Sequence, residues 1–261
     1  MLKWPSRITL IRHAKSAYND LKRLKLEDPL YREFRSAYES DWLSDTTRAL
    51  AEQCSQKWAL GSGDWNTKLA DGAEFDAVRT GKRLREARNG NVPHIIFVSP
   101  YHRTHGTLAA LIKGWPELEG CETYEDERIR EQEHGLLLLY NDLRVLFALH
   151  PEQRRLYDLE GSYWYRYPQG ENVPDVRQRN REFISMLIRE FAERDVLVVT
   201  HHLTILATRA NLERLDHEEF QRIDREEKPI NCGVTTYVGT PDVGRRGEGH
   251  LNLERYNEQL F

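Results

Sequence analysis

Ile8-Thr9-Leu10-Ile11-Arg12-His13-Ala14-Lys15-Ser16-Ala17-Tyr18-Asn19 decides how the rest of the chain is read. Its first four residues are apolar or β-branched, which predicts a short buried strand. The strand stops on an Arg-His pair. In open α/β sheets, ligands bind just outside the carboxyl ends of the strands. The pair therefore offers a fixed cation and an imidazole at the place where such folds do chemistry. A guanidinium grips phosphate through two parallel charge-assisted hydrogen bonds. An imidazole there serves as a base, a metal ligand or a nucleophile that carries a phosphoryl group. An isolated Arg-His dipeptide reads equally well as a solvated loop, so the case rests on what else the chain brings to it.

Two more buried strands answer the first. His94-Ile95-Ile96-Phe97-Val98-Ser99-Pro100 ends on polar residues, with Arg103 close behind. Val196-Leu197-Val198-Val199-Thr200 ends on His201-His202. Helical patterns alternate with them: Glu74 to Asn89, with Phe75, Val78 and Leu84 inward; Arg103 to Lys113; Asp175 to Glu193; and Leu203 to Leu215. Cys121 to Tyr124 reads as an edge strand. Gly233 to Gly239 and Leu251 to Tyr256 read as a hairpin joined by a Pro/Gly/Arg turn. The alternation predicts a three-layer α/β/α sandwich with a mostly parallel central sheet and an antiparallel edge. In such a sheet the three strand ends converge on one side, bringing two arginines, two histidines and the acidic loop after Tyr124 together. That set suits in-line attack on phosphorus by an imidazole, with arginines spreading the charge and a carboxylic acid protonating the leaving oxygen.

The chain has 261 residues, 31% charged and 39% hydrophobic, with a net charge of −4. One domain spanning 1–261 is expected, with insertions or caps at about 20–68 and 136–172. The first carries strongly charged helices broken at Pro29, then Trp42, Trp58 and Trp65; a plain surface excursion is the competing reading. The charge gives no general attraction to nucleic acid or an anionic membrane, so neither is expected as a partner. Cys54, Cys121 and Cys232 are widely spaced and odd in number, which argues against a disulfide framework. With no apolar leader segment or membrane-spanning run, the expected location is the cytoplasm.

The sequence resembles the histidine phosphatase superfamily, also called the phosphoglycerate mutase-like family, from Ile8 to about Leu215. The family opens on an Arg-His-Gly-Glu-Ser-x-x-Asn motif, matched here at Arg12, His13, Ser16 and Asn19. Its Ser-Pro-x-x-Arg-x-x-x-Thr motif stands as Ser99-Pro100-Tyr101-His102-Arg103-Thr104-His105-Gly106-Thr107. Its acid/base Glu-x-x-x-Gly falls on Glu131 of Arg130-Glu131-Gln132-Glu133-His134-Gly135, and its second histidine on His201. Arg166 to Asn172 with Asp175-Val176 is similar to the Pro-x-Gly-Glu-Ser segment of phosphatase branches, and the likeness runs closest to broad-range acid phosphatase-type members.

The resemblance implies a phosphoglycerate mutase-like fold and a metal-independent phosphatase. His13 would be the phosphorylated nucleophile, Arg12 and Arg103 the phosphate clamps, His201 a donor to the phosphate and Glu131 the proton carrier. Asn19, Ser16, Lys15 and His202 would contact substrate. Two departures stand out: Ala14-Lys15 replaces Gly-Glu, and His202 replaces a glycine. No cofactor or metal is expected, since His102 and His105, spaced i, i+3, bring no carboxylate or cysteine ligand with them. The expected partner is a small-molecule phosphoester, and the aromatic loop around Tyr163, Trp164, Tyr165 and Tyr167 is either a substrate wall or core packing. A homodimer is compatible with the exposed aromatics. A phosphoglycerate mutase-like phosphotransferase and a non-catalytic phospholigand-binding protein are the alternatives.

Overall fold

The computed structural model describes residues 3–241 and 249–261. The opening strand β1 (Arg7–Arg12) lies near the middle of a six-stranded sheet, and helices pack on both faces of it. Helices α1 (Ala17–Glu27), α2 (Pro29–Ser40), α3 (Asp45–Lys57) and α4 (Glu74–Ala87) precede β2 (Ile95–Val98). Next come α5 (His102–Gly114) and the edge strand β3 (Glu122–Glu125), then α6 (Leu137–Tyr140), α7 (Leu143–Leu149), α8 (Pro151–Trp164) and α9 (Val173–Glu190). The chain ends with β4 (Asp195–Thr200), α10 (His202–Leu212), α11 (His217–Glu226), β5 (Val234–Thr240) and β6 (His250–Glu258).

The strand order is β3-β2-β4-β1-β5-β6. β3, β2, β4 and β1 are parallel, whereas β5 runs antiparallel to β1 and pairs in turn with β6. This is the expected α/β/α architecture with an antiparallel edge. Ile8 and Leu10 face one apolar layer with Val196, Val198, Phe183 and Leu187. Ile11 faces the other with Ile96, Val98, Val199 and Trp115. The β1–β4 register pairs Arg12 with Thr200, so Arg12-His13 and His201 leave the sheet side by side. The Pro/Gly/Arg turn of the hairpin falls largely on 242–248, outside the described residues.

The two segments read as insertions pack on each other. Tyr31, Phe34 and Tyr38 of α2, with Leu50 and Cys54 of α3, share a cluster with Val145, Leu146 and Phe147 of α7 and with Tyr165. Lys25 stitches them together: its buried ammonium donates to Asn141 O at 2.6 Å and to Asp142 Oδ2 at 2.8 Å. The break at Pro29 is where expected, with Asp28 extended before it and the proline opening α2. The two segments thus share one apolar core and a buried ion pair.

Three sequence expectations need correction. Phe75 is 64% exposed, not inward. The buried face of α4 is Ala77, Thr80, Gly81 and Leu84, and Phe75 sits two residues, about 200°, away from its start. That face is small because α4 and α5 pack backbone to backbone: a Cβ on Gly81 would strike the Leu111 carbonyl. Secondly, α8 continues through a bend at Gly161, whose φ is +75°, so Ser162–Trp164 are helical. Thirdly, α3 and α11 were not foreseen. α11 carried the signs: Asp216 caps it by accepting from Glu219 N, and Phe220 and Ile223 bury one face. The aromatic loop is mainly core, since Tyr163 and Tyr165 are buried. All three cysteines are free thiols.

Candidate active site

His13 hangs just past the end of β1. Its backbone N–H donates to Thr200 O at 2.9 Å, and its carbonyl accepts from Asn231 Nδ2 at 2.9 Å. Its Nδ1 lies 2.7 Å from Ala14 O. A carbonyl can only accept, so Nδ1 carries the proton and Nε2 keeps its lone pair. That lone pair accepts from Arg103 Nε at 3.2 Å. Burial, then the charges of Arg103 and Arg12, hold His13 well below the usual imidazole pKa. A neutral, oriented imidazole with an unprotonated Nε2 is the reactive form of a histidine nucleophile, once Arg103 releases that lone pair.

Arg103 is aimed by its helix. Thr107, one turn along α5, donates to Arg103 O at 2.7 Å and accepts from Ala14 N at 2.8 Å, tying α5 to the His13 loop. The last two anchors of the Ser-Pro-x-x-Arg-x-x-x-Thr pattern thus serve one geometry. Nearly buried, the Arg103 guanidinium is also gripped by Asp64, from the 3₁₀ turn Asp64–Asn66. Nη1 reaches Asp64 Oδ1 at 2.9 Å and Asp64 O at 2.7 Å, and Nη2 reaches Oδ2 at 3.2 Å. Asp64 was not foreseen.

Arg12 donates through Nη1 to Pro229 O at 2.6 Å, and its buried Nε has no partner among the described residues. His201 is fully buried behind His13, their rings 5.2 Å apart and edge-on. Its Nε2 lies 2.7 Å from Ser99 Oγ, and its Nδ1 has no partner among the described residues. Burial and the charge of Arg103 hold His201 neutral. Two buried polar nitrogens without partners, next to a cationic cluster, fit the oxygens of a bound anion.

Glu131 stands across the cavity from this cluster. Its Oε1 accepts from Gln132 N at 3.0 Å and from Leu203 N at 3.3 Å. Burial pushes its pKa up, but His202, the Gln132 N–H and Arg103 outweigh burial and leave it below the ordinary glutamate value. The loop that carries it is clamped from behind. Glu171 accepts from Glu133 N at 3.0 Å and pairs with Arg130 and Arg179, and Arg179 donates to Glu131 O at 2.9 Å. Gly135, with φ +47°, passes so close to Pro168 O that no side chain fits there.

A cavity of ≈260 Å³ has Arg12, His13, Ser16, Asn19, Arg103, Glu131, His134 and His202 on its wall, while His201 lies buried against His13 and is not part of that wall. Ser16 and Asn19 are there, but Asn19 Oδ1 is spent accepting from Ser16 N at 2.9 Å and from Ser16 Oγ at 3.0 Å. Lys15 departs from expectation: it is not on the wall, and its ammonium pairs with Asp20 at the surface. His202 is on the wall, its Nε2 2.6 Å from Asp224 Oδ1. His102 and His105 open onto a different surface hollow with Lys68 and Glu125. Among the described residues, no group of three or more His, Cys, Asp or Glu side chains is placed to hold a metal ion. Cavity residues missed from sequence are Tyr18, Lys22, Leu60, Asp64, Leu137, Leu138, Asn141 and Lys228.

Comparison with known proteins gives the family and the fold. A phosphoglycerate mutase-like protein of Arabidopsis thaliana is 27% identical over 216 residues, covering 76% of this chain and 72% of its own. A probable phosphoglycerate mutase of Serratia proteamaculans is 27% identical over 208 residues, 69% of this chain and 93% of its own. Among solved structures, a mycobacterial glucosyl-3-phosphoglycerate phosphatase superposes with a TM-score of 0.62 at 20% identity, covering 97% and 99% of the two chains. A putative alpha-ribazole-5'-P phosphatase from Escherichia coli gives 0.66 at 16% identity, covering 98% and 97%. These two share the fold. The description "Histidine phosphatase superfamily (branch 1)" matches residues 51–245. That span holds Arg103, Glu131 and His201 and begins after Arg12-His13. With most of the chain matched, this protein belongs to the histidine phosphatase superfamily, branch 1.

Proposed function

We propose that the protein is a phosphomonoesterase that works through a phosphohistidine on His13, without a metal. The observation that carries this reading is the His13 environment: a neutral imidazole, Nδ1–H fixed on a carbonyl and Nε2 lone pair directed at Arg103. In the proposed step, Nε2 attacks phosphorus and the P–O bond to the leaving alcohol breaks. Arg12, Arg103 and His201 take the non-bridging oxygens. Glu131 gives its proton to the leaving oxygen, then as a carboxylate accepts one from the water that hydrolyses the phosphohistidine. In the resting site Glu131 is held as a carboxylate. An arriving phosphate dianion supplies the like charge that raises its pKa, so substrate binding itself readies the acid. Arg103 must also exchange Asp64 for phosphate before it can clamp.

A phosphotransferase reading draws on the mutase names of the relatives and uses the same first step, with phosphate returned to a second hydroxyl. The test is hydrolysis of p-nitrophenyl phosphate with EDTA present, by wild type and His13→Ala. Chelator-resistant turnover that is lost in the variant is expected. Turnover that survives His13→Ala, or that EDTA abolishes, contradicts the proposal. Absence of wild-type hydrolysis alongside phosphate exchange between hydroxyls would favour the phosphotransferase.

A further inference from the structure

A second cavity of ≈300 Å³ adjoins the one in front of His13, and Glu131, His134, His202 and Lys228 stand on the walls of both. The partition between them is therefore made of titratable groups. His202 is the first residue of α10, and the next residue, Leu203, donates its N–H to Glu131 Oε1 at 3.3 Å. One helix start thus holds the carboxylate and carries an imidazole beside it. His202 Nε2 lies 2.6 Å from Asp224 Oδ1 on α11; a carboxylate only accepts, so Nε2 carries the proton. In the neutral ring Nδ1 is then a lone pair, with no hydrogen-bond partner among the described residues. Glu131 Oε2 likewise has none, since both bonds to that carboxylate go to Oε1. At 13% exposed, the His202 side chain is too enclosed for an ordinary surface histidine. An imidazole oriented by an aspartate, with its second nitrogen unused, is the arrangement of a working base.

We propose that His202, oriented by Asp224, is a positioning residue for Glu131: it holds one proton beside the carboxylate and passes it over when substrate arrives. The proposal rests on the reading of Glu131 as proton carrier and deepens it. In the transfer the N–H bond at His202 Nδ1 breaks and an O–H bond forms on Glu131, so imidazolium and carboxylate become imidazole and carboxylic acid. Substrate in the His13 cavity stands between Glu131 and bulk water on that side. Asp224, on the wall of the second cavity, is 36% exposed, so His202 can be reloaded from solvent there. The surroundings of His202 set the sign of each test. Burial lowers its pKa, Asp224 and Glu131 raise it, and Lys228, after α11, lowers it. His134, on the Glu131 loop, and His13, after β1, are the neighbouring histidines, and Tyr157, Tyr163 and Tyr167 add hydroxyls on the second cavity.

The test reads kcat/KM against pH for an alkyl phosphate and for p-nitrophenyl phosphate, in wild type, His202→Gly and Asp224→Asn. Only the alkyl ester needs its leaving oxygen protonated. Its alkaline limb should move down by about one pH unit in His202→Gly, the coupling beyond which two sites titrate as a pair, while the limb for p-nitrophenyl phosphate stays in place. Asp224→Asn keeps an acceptor for Nε2 but removes the charge, and should move the alkyl-ester limb part of the way. Glycine leaves a hole that opens on the second cavity, so added imidazole should restore the limb. A limb that stays put in a folded His202→Gly, or moves equally for both esters, overturns the proposal. So does a shift that Asp224→Asn does not share and imidazole does not reverse. The pair is also read without turnover, from the ring nitrogen NMR shifts of His202 across pH, assigned by difference with His202→Gly. Asp224→Asn and Glu131→Gln each remove a negative partner and should lower the titration midpoint. A His202 that stays neutral throughout the folded range, or a midpoint that neither variant moves, overturns the proposal as well. Failure of Glu131→Gln to slow the alkyl ester would count instead against the proton-carrier reading, and the midpoints then decide whether the two groups share a proton.

Discussion

Replacing Asp64 by Asn should tighten phosphate binding, because Asp64 occupies the guanidinium that phosphate needs. Four of the five Arg103 N–H groups are used in the resting site: Nε on His13, two from Nη1 on Asp64 O and Oδ1, and one from Nη2 on Asp64 Oδ2. Phosphate cannot take a two-pronged grip without displacing the carboxylate. A charge-assisted hydrogen bond contributes roughly 1.5–3 kcal/mol net. With Arg103 5% exposed but Asp64 19% exposed, screening puts the pair near the lower figure. Removing the charge should therefore strengthen inorganic phosphate inhibition about tenfold. Asn is the right replacement, since the backbone contact from Asp64 O survives and keeps the turn in place. The assay is the competitive inhibition constant of phosphate, with unfolding curves to show that the variant stays folded. Phosphate binding that weakens in a folded variant would refute the reasoning and make Asp64 a residue that orients Arg103.

Three further outcomes are expected. Glu131→Gln should slow turnover of alkyl phosphates by roughly 10²–10⁴ and leave esters with good leaving groups much less affected; equal losses for both would exclude the proton-carrier role. Lys25→Met strands Asp142 against the Tyr31 hydroxyl and should cost about 3–5 kcal/mol in denaturant unfolding, with Lys25→Met/Asp142→Leu recovering part of it; a loss under 1 kcal/mol would show that the pair is not a stitch. His13, His134, His201 and His202 all have lowered pKa values in the folded protein, so the unfolded chain binds more protons just below the ordinary histidine pKa of about 6.5. Stability should thus be full above that pH and fall as pH drops through it, less steeply in His13→Gln; a flat Tm between about pH 7 and 5 would contradict it.

What could be read from sequence was whatever depends on strand ends. Arg12 ends β1, His13 and His201 follow β1 and β4 directly, and Arg103 is the second residue of the helix after β2, so an apolar run and its terminus locate them. Glu131 was legible through its spacing to Gly135, a glycine that the close approach of Pro168 requires. Asp64, Lys22 and Lys228 were not legible. Lys22 and Lys228 sit in charged stretches and Asp64 in a Gly-Ser turn segment, local patterns that match any solvated surface, and only tertiary packing brings them to the cavity. Lys25 was hidden for the same reason: a lysine in a charge run is buried only because Asn141 and Asp142 arrive from more than a hundred residues away. Lys15 misled in the opposite sense. Its place in the opening motif suggested the pocket, whereas Asp20, one turn into α1, draws it outward.

The most direct test of the account is to quench the enzyme during turnover of a phosphomonoester and locate the phosphoryl group by mass spectrometry under alkaline conditions, which preserve phosphohistidine. The account predicts phosphate on the peptide containing His13, accumulating in Glu131→Gln and absent in His13→Ala. Phosphate on another residue, or none during active turnover in both wild type and Glu131→Gln, would contradict it.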